Sequence, residues 1–204
     1  SVWSMGSNDS GELGIGKDAS YYLPSASDPN DPNFDPLIAG SLIPYLAGEK
    51  WPERIFSSGV AAASGGHQYS VFLMDDGSLW LSGRLSTNNN QSWPKEPEKL
   101  VDANVTAMVA GYQHFLFLKS DGSLWGMGAN SFGQLGDGTT SNRSNPVQVL
   151  DGSGNPLSGV AVISAGGQHT MYLKGDGTVW ATGYNYHGQL GDGTTSNRSN
   201  PVQV

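Results

Sequence analysis

The chain contains no cysteine and few charged residues, and both shortages narrow what it can be. Without cysteine, neither a disulfide framework nor a thiolate metal site is available. Charged residues make up 14% of the 204 positions while glycine occupies 29, a balance that favours a turn-rich β protein over a helical one. Six Trp, eight Tyr and six Phe supply enough apolar bulk for a packed core, so we do not expect a disordered chain.

Two further absences bear on partners. The chain has a net charge of −8 and no block of Lys or Arg, which disfavours binding to a phosphate backbone, so no nucleic-acid partner is expected. No apolar run approaches the roughly 18 residues of a transmembrane helix, so no membrane span is expected. The first residue is Ser1 rather than Met, from which we expect a lost leader or a longer parent chain.

The sequence is internally repetitive. Residues 66–83, 111–128 and 166–183 align without a gap, and Ser1–Gly6 matches the end of the same unit. The stretch GQLGDGTTSNRSNPVQV occurs twice, at 133–149 and at 188–204. One position of the aligned units is always tryptophan: Trp3, Trp80, Trp125 and Trp180. Such a period predicts an array of similar structural units.

Each unit has the pattern of short β-strands. Phe115–Lys119 and Leu124–Gly128 are rich in aromatic and branched residues and flank an Asp-Gly pair, which predicts a hairpin with a type I′ turn at Gly122 and, by alignment, at Gly177. Further strands are predicted at Val60–Ser64, Val105–Ala110, Val160–Ala165, Pro146–Val149 and Pro201–Val204. Four short strands in about 45 to 55 residues are typical of one blade of a β-propeller.

The final unit, GQHTMYLKGDGTVWATGYNYHGQLGDGTTSNRSNPVQV, resembles the RCC1-type repeat, named for the regulator of chromosome condensation and here bacterial-like. The resemblance covers most of residues 1–16 and 54–204 and implies an all-β propeller, with seven blades in complete members. This chain would supply about 3.5 blades, so the ring would be completed by a longer parent chain or by association of chains. The expected organisation is a half blade (1–16), a Pro/Asp-rich insertion (17–53), a blade with an irregular loop (54–104) and two regular blades (105–149 and 150–204).

Residues that differ between units are the best candidates for partner contacts, because the repeated fold does not require them. They are His67, Arg84, Tyr112, Phe132, Tyr184, Tyr186 and His187. Their aromatic character suits a protein-binding face, although ordinary loop packing is the alternative. His114 and His169 align with each other and with Tyr69, so we expect a structural role for them as buried polar groups bonded to a neighbouring turn.

No catalytic signature, dinucleotide fingerprint or phosphate loop is present, so we predict no catalytic residues, no cofactor and no enzymatic activity. Asp28, Asp31 and Asp35 in the insertion are rich in oxygen ligands, but Pro32 breaks the spacing of a calcium loop, and no metal site is predicted.

The leading functional hypothesis is a non-enzymatic, extracellular or bacterial cell-surface module that binds a protein partner through its variable loops. A structural subunit whose open blade array self-associates into a filament or layer is the alternative, since exposed sheet edges pair with other chains. A regulatory role, as an exchange factor or an enzyme inhibitor, is a third hypothesis that the resemblance implies.

Overall fold

The computed structural model describes residues 2–4, 53–85, 94 and 96–204, and this part of the chain is built entirely from β-strands and turns. The strands are β1 (Val2–Ser4), β2 (Glu53–Phe56), β3 (Val60–Gly65), β4 (Tyr69–Met74), β5 (Leu79–Gly83), β6 (Glu98–Val101), β7 (Val105–Ala110), β8 (His114–Lys119), β9 (Leu124–Gly128), β10 (Arg143–Gln148), β11 (Val160–Ala165), β12 (His169–Lys174), β13 (Val179–Gly183) and β14 (Arg198–Gln203). In the described ranges no helix has the length and apolar character to span a membrane.

The strands form three four-stranded antiparallel sheets and one two-stranded sheet. The first blade is β3–β6, the second is β7–β10 and the third is β11–β14, each a meander in chain order. In the two-stranded sheet β1 pairs with β2, and Trp3 faces Arg54 across the ladder. The expected all-β fold with part of a propeller is therefore confirmed. The insertion predicted over 17–53, including Asp28, Asp31 and Asp35, lies outside the described residues except for Glu53 in β2.

The hydrophobic core lies between blades. Side chains alternate along β8, so Phe115 and Phe117 pack in one cluster with Tyr69 of the first blade, while Leu116 packs in another with Tyr172 of the third. All five of these side chains are at most 1% exposed. Since a strand presents successive side chains to opposite faces, each sheet contributes to two cores. The first strands of the blades stand together, because β7 contacts both β3 and β11.

The hairpin turns differ from the predicted type I′. Among the described residues only Asn104 is a non-glycine residue with positive φ, so Asp121 does not adopt the conformation that a type I′ turn requires. Instead the Gly122 N–H donates to the Lys119 carbonyl and the Lys119 N–H donates to the Ser123 carbonyl, both at 2.9 Å, with Gly122 at φ 80°. This is a type I turn followed by a left-handed glycine in a bulge. The hairpin prediction was right, and its turn type was wrong.

The tryptophan of each unit is tied to that turn. In the second blade the Ser123 N–H and hydroxyl donate to Asp121 Oδ1, the Trp125 indole donates to Ser123 Oγ at 2.8 Å, and Lys119 Nζ lies 4.9 Å from the ring centroid. The hydrogen bonds from Ser123 also hold the pKa of Asp121 below its usual range. The first and third blades repeat the relay with Asp76, Ser78 and Trp80 and with Asp176, Thr178 and Trp180.

A buried asparagine just before the duplicated stretch holds the conformation of the loop through its hydrogen bonds. Asn130 donates from Nδ2 to Asp137 Oδ1 at 2.9 Å and accepts from the Leu135 N–H at 2.9 Å. The Arg143 guanidinium closes the loop on Asp137 Oδ2 at 2.6 Å. Burial raises the pKa of Asp137, but hydrogen bonds from Thr139, Arg143 and Asn130 outweigh it and leave the pKa lowered. The second copy repeats these contacts with Asn185, Asp192, Leu190 and Arg198.

His114 lies at the boundary between the second and third blades and is fully buried. Its Nε2 is 3.1 Å from Thr170 Oγ1, and the Thr170 hydroxyl donates to the Gln134 carbonyl at 2.8 Å. Because that hydroxyl proton is committed to Gln134, Nε2 must be the donor, and the ring is the neutral Nε2–H tautomer. The corresponding His169 is half-buried.

Acid should weaken this boundary. Burial lowers the pKa of His114 from 6.5 to about 4. Between these two pH values the His114 side chain is therefore protonated in the unfolded chain but neutral in the folded chain. This contribution to stability is therefore present above pH 6.5 and is lost towards pH 4, by an amount of the order of 3 kcal/mol. Urea unfolding at pH 7.5, 6, 5 and 4.5 measures it. His114→Gln should flatten this dependence more than His169→Gln, and an equal effect of the two would contradict the assignment.

Asn130, which holds the duplicated loop, should contribute more to the stability of the protein than its neighbours in the sequence. Asn130→Ala leaves the Leu135 N–H and Asp137 without their buried partner, and we expect a loss of about 2 to 3 kcal/mol in unfolding free energy. Ser131→Ala is the control, since Ser131 is exposed and makes only a 3.4 Å contact with Asn142. Denaturant titration compares the two. Equal stabilities would show that the loop does not depend on Asn130.

Candidate binding face

All the predicted contact residues lie at one end of the sheets. In an antiparallel meander the first and third connections of each blade meet at the same end, as the Tyr184 N–H donating to the Gln168 carbonyl and the Ala129 N–H donating to the Gln113 carbonyl show. We call this end the variable face, formed in the described chain by residues 66–68, 84–85, 111–113, 129–142, 166–168 and 184–197. The Asp-Gly hairpins lie at the opposite end, which we call the hairpin end.

Four of the candidates form a continuous aromatic row across two blades. Phe132 of the second blade lies edge-on to Tyr184 of the third with ring centroids 4.9 Å apart. Tyr184 stacks on Tyr186 at 6.4 Å, and Tyr186 meets His187 edge-on at 5.1 Å. Tyr186 is 69% exposed, and His187 is also exposed. The row therefore presents aromatic surface to solvent while its inner members pack on one another.

A glycine permits the contact between the two loops. Gly133 has φ 81°, and a Cβ on it would lie 2.5 Å from the Ser199 Cα, so no other residue fits without moving the backbone. The Thr182 hydroxyl lies 2.9 Å from the Gly133 carbonyl and 2.6 Å from the Arg198 carbonyl. This close approach places Phe132, the residue before Gly133, against Tyr184.

A second aromatic pair stands on the same face. His67 and Tyr112 are stacked with centroids 4.3 Å apart, and the His67 N–H donates to the Tyr112 carbonyl at 2.9 Å. Tyr112 is 46% exposed. Arg84 is exposed, and its N–H donates to the Gln68 carbonyl. The structure therefore brings His67 and Tyr112 together, and it brings the four residues of the aromatic row together. Each group lies at a junction between blades.

The surroundings of the aromatic row carry little net charge. In the loops 129–142 and 184–197 the only ionisable acids are Asp137 and Asp192, and each is paired with an arginine, Arg143 or Arg198, within 2.7 Å. The remaining loop residues are mainly Gly, Ser, Thr and Asn. Tyrosine presented among small polar residues is the composition of protein-binding loops such as antibody paratopes. Within the described residues no group of acidic and histidine side chains is placed to hold a metal ion.

Residues 105–204 carry RCC1-type repeats. Sequence profiles described as the regulator of chromosome condensation (RCC1) repeat match residues 121–173 and 176–204, and a second profile of the same description matches 105–134 and 160–189. Among characterised proteins the human probable E3 ubiquitin-protein ligase HERC4 is 40% identical over 79 residues, which is 38% of this chain and 7% of HERC4. The Arabidopsis thaliana ultraviolet-B receptor UVR8 is 36% identical over 77 residues, covering 38% of this chain and 17% of the receptor.

Solved structures show the same fold. Human WBSCR16 superposes on 99% of this chain with a TM-score of 0.72 and 22% identity, and the match spans 52% of WBSCR16. Yeast RCC1 (Prp20), solved with Kap60 bound, superposes on 78% with a TM-score of 0.63 and 19% identity, spanning 41% of the matched chain. This chain therefore spans about half or less of the relatives it matches.

Proposed function

We propose that this chain is a protein-interaction module that binds a partner protein through the variable face, with the aromatic row at the centre of the contact. The observation that supports this most directly is the row itself. Aromatic side chains anchored by a rigid frame dominate binding energy at protein interfaces, and Tyr186 keeps 69% of its surface exposed despite packing on Tyr184 and His187.

Two further observations support the proposal. The frame is repeated almost unchanged while the face varies, as in repeat proteins that use one surface for recognition. Among the relatives, yeast RCC1 was solved bound to Kap60, and its binding properties to Gsp1p and histones were described with a further structure of it. A non-enzymatic role and an extracellular or cell-surface location stay predictions, and fractionating the source cells tests the location.

Site-specific photo-crosslinking tests the face directly. A photo-reactive phenylalanine analogue at Tyr186 or Tyr112 should capture a partner protein, whereas the same analogue at exposed Ser158, at the hairpin end, should not. Calorimetry with that partner should show the double change Tyr184→Ala and Tyr186→Ala weakening the affinity about 10- to 100-fold. Tyr186→Phe and Leu173→Ala are the controls and should stay within about threefold. An unchanged affinity of the double variant would rule out the aromatic row as the contact.

Self-association is a second candidate, supported by a different surface. Leu173 of the third blade is 39% exposed and Val204 is 49% exposed, whereas their counterparts in the second blade, Leu118 and Val149, are half-buried and fully buried. We propose that a second copy of the chain covers this face. Sedimentation velocity should then show a concentration-dependent dimer or polymer that Leu173→Lys reduces about tenfold or more in affinity and that Tyr186→Ala leaves intact. A monomer at every concentration would contradict the proposal.

A further inference from the structure

Three equivalent grooves lie where the outer strand of one unit meets the sheet of the next. Each has an aromatic pair on its floor: Phe72 and Trp80, Phe117 and Trp125, or Tyr172 and Trp180. In each pair the two residues face each other across the second and third strands of a blade. The grooves can therefore be compared directly.

The first groove is filled by the chain itself. Phe56, at the end of β2, lies edge-on to Phe72 with centroids 5.2 Å apart and to Trp80 at 6.1 Å. Phe56 is followed by a short linker, residues 57–59, that leads directly into β3.

The third groove is also filled, but from the linker. Residues 150–159 fold back on themselves, with Leu150 bridged to Pro156, and Leu157 becomes 2% exposed in the cluster that includes Tyr172 and Trp180. The linker is held to the third blade by Asn200 Nδ2, which donates to the Asp151 carbonyl at 3.1 Å.

Among the described residues, the second groove has neither filling. Val101 occupies the position of Phe56 in its strand, because each faces the residue before the repeated tryptophan across the ladder. The linker, residues 102–104, is as short as the first one and brings no counterpart of Leu157. An open groove of about 420 Å³ results, lined by Leu100, Val101, Asp102, Ala103, Asn104, Phe117, Lys119, Trp125 and Pro146. We call it the outer groove.

The duplicated stretch provides an internal control. Pro146 and Pro201 are the same residue of two identical copies, yet Pro201 is buried and Pro146 is only half-buried. Asn145 and Asn200 are likewise equivalent, and Asn145 is exposed where Asn200 holds the linker carbonyl. Since the copies have identical sequences, the differences come from what covers them.

We propose that the outer groove binds a segment of a partner protein that packs a leucine- or phenylalanine-sized side chain against Trp125 and Val101 and offers a backbone carbonyl to Asn145. The two filled grooves define this chemistry. The outer groove is also continuous with the hydrophobic core between the first and second blades, because Leu100, Val101 and Trp125 pack against that core. Both Lys119 and Asp102 line the groove. Because it carries charges of both signs, it suits a peptide backbone better than a ligand whose charges are all of one sign. The groove lies at the hairpin end, so it is separate from the variable face.

The linker that fills the third groove provides the probe for this site. A synthetic peptide with the sequence of residues 150–158, LDGSGNPLS, should bind the whole chain in trans with a dissociation constant on the order of a millimolar, as expected for one anchoring side chain. Amide chemical shifts should change at Ala103, Asn104 and Lys119. The same peptide with alanine in place of its second leucine should bind about tenfold more weakly.

Two variants locate the peptide. Val101→Phe places in the second groove the side chain that Phe56 provides in the first, and it should raise the melting temperature and weaken peptide binding at least about tenfold. Asn145→Ala changes an exposed residue, should leave stability unchanged and should weaken binding several-fold. Tyr186→Ala should have no effect, which separates this site from the aromatic row. Shift changes confined to the variable face, no binding at about 10 mM peptide, or unaltered binding to Val101→Phe would each overturn the proposal.

Discussion

The alternation of side chains along the second strand of each blade is the constraint on which the rest of the structure depends. Phe117 packs towards the first blade and Leu116 towards the third, so no sheet has a core that is its own. Stability in such arrays is shared between neighbours. Any feature that sits at a junction between blades, whether the row at Phe132 or the neutral ring of His114, is therefore part of the same packing that folds the chain.

The two ends of the sheets have different physical characters. The hairpin end is built from a repeated relay of Asp, Ser or Thr and Trp around Trp80, Trp125 and Trp180, with a lysine over each ring that comes from the outer strand in the first blade and from the second strand in the other two. The variable face keeps a repeated foundation, the asparagine and arginine contacts around Asp137 and Asp192, and places changing aromatic groups on top of it. A rigid frame beneath variable side chains lowers the entropy lost on binding, because the side chains are already positioned.

Local sequence patterns predicted the strands and hairpins, but they did not predict the contacts between strands that are distant in the sequence. The Asp-Gly pairs gave the hairpins because a turn is encoded by adjacent residues, but the preference for type I′ holds for two-residue loops, and Ser120 makes the loop one residue longer. Comparison of the units picked out Tyr184 and His187, and the antiparallel topology explains why such positions share one face. Which of them touch could not be predicted, since that depends on the close approach at Gly133. The outer groove was invisible for a related reason: it depends on Val101, Phe117 and Pro146 from three strands far apart in the chain.

The asparagine-centred loop has a consequence for how such a chain grows. Asn130 and Asn185 make the same bonds within their own units, to Asp137 and Asp192, so each unit supplies these loop contacts itself. A duplicated unit therefore brings its own loop contacts with it, while its packing still has to match the blades on either side. At each junction either a bulky residue in the outer strand or a long linker closes the groove, and a junction that has neither becomes an opening for another molecule.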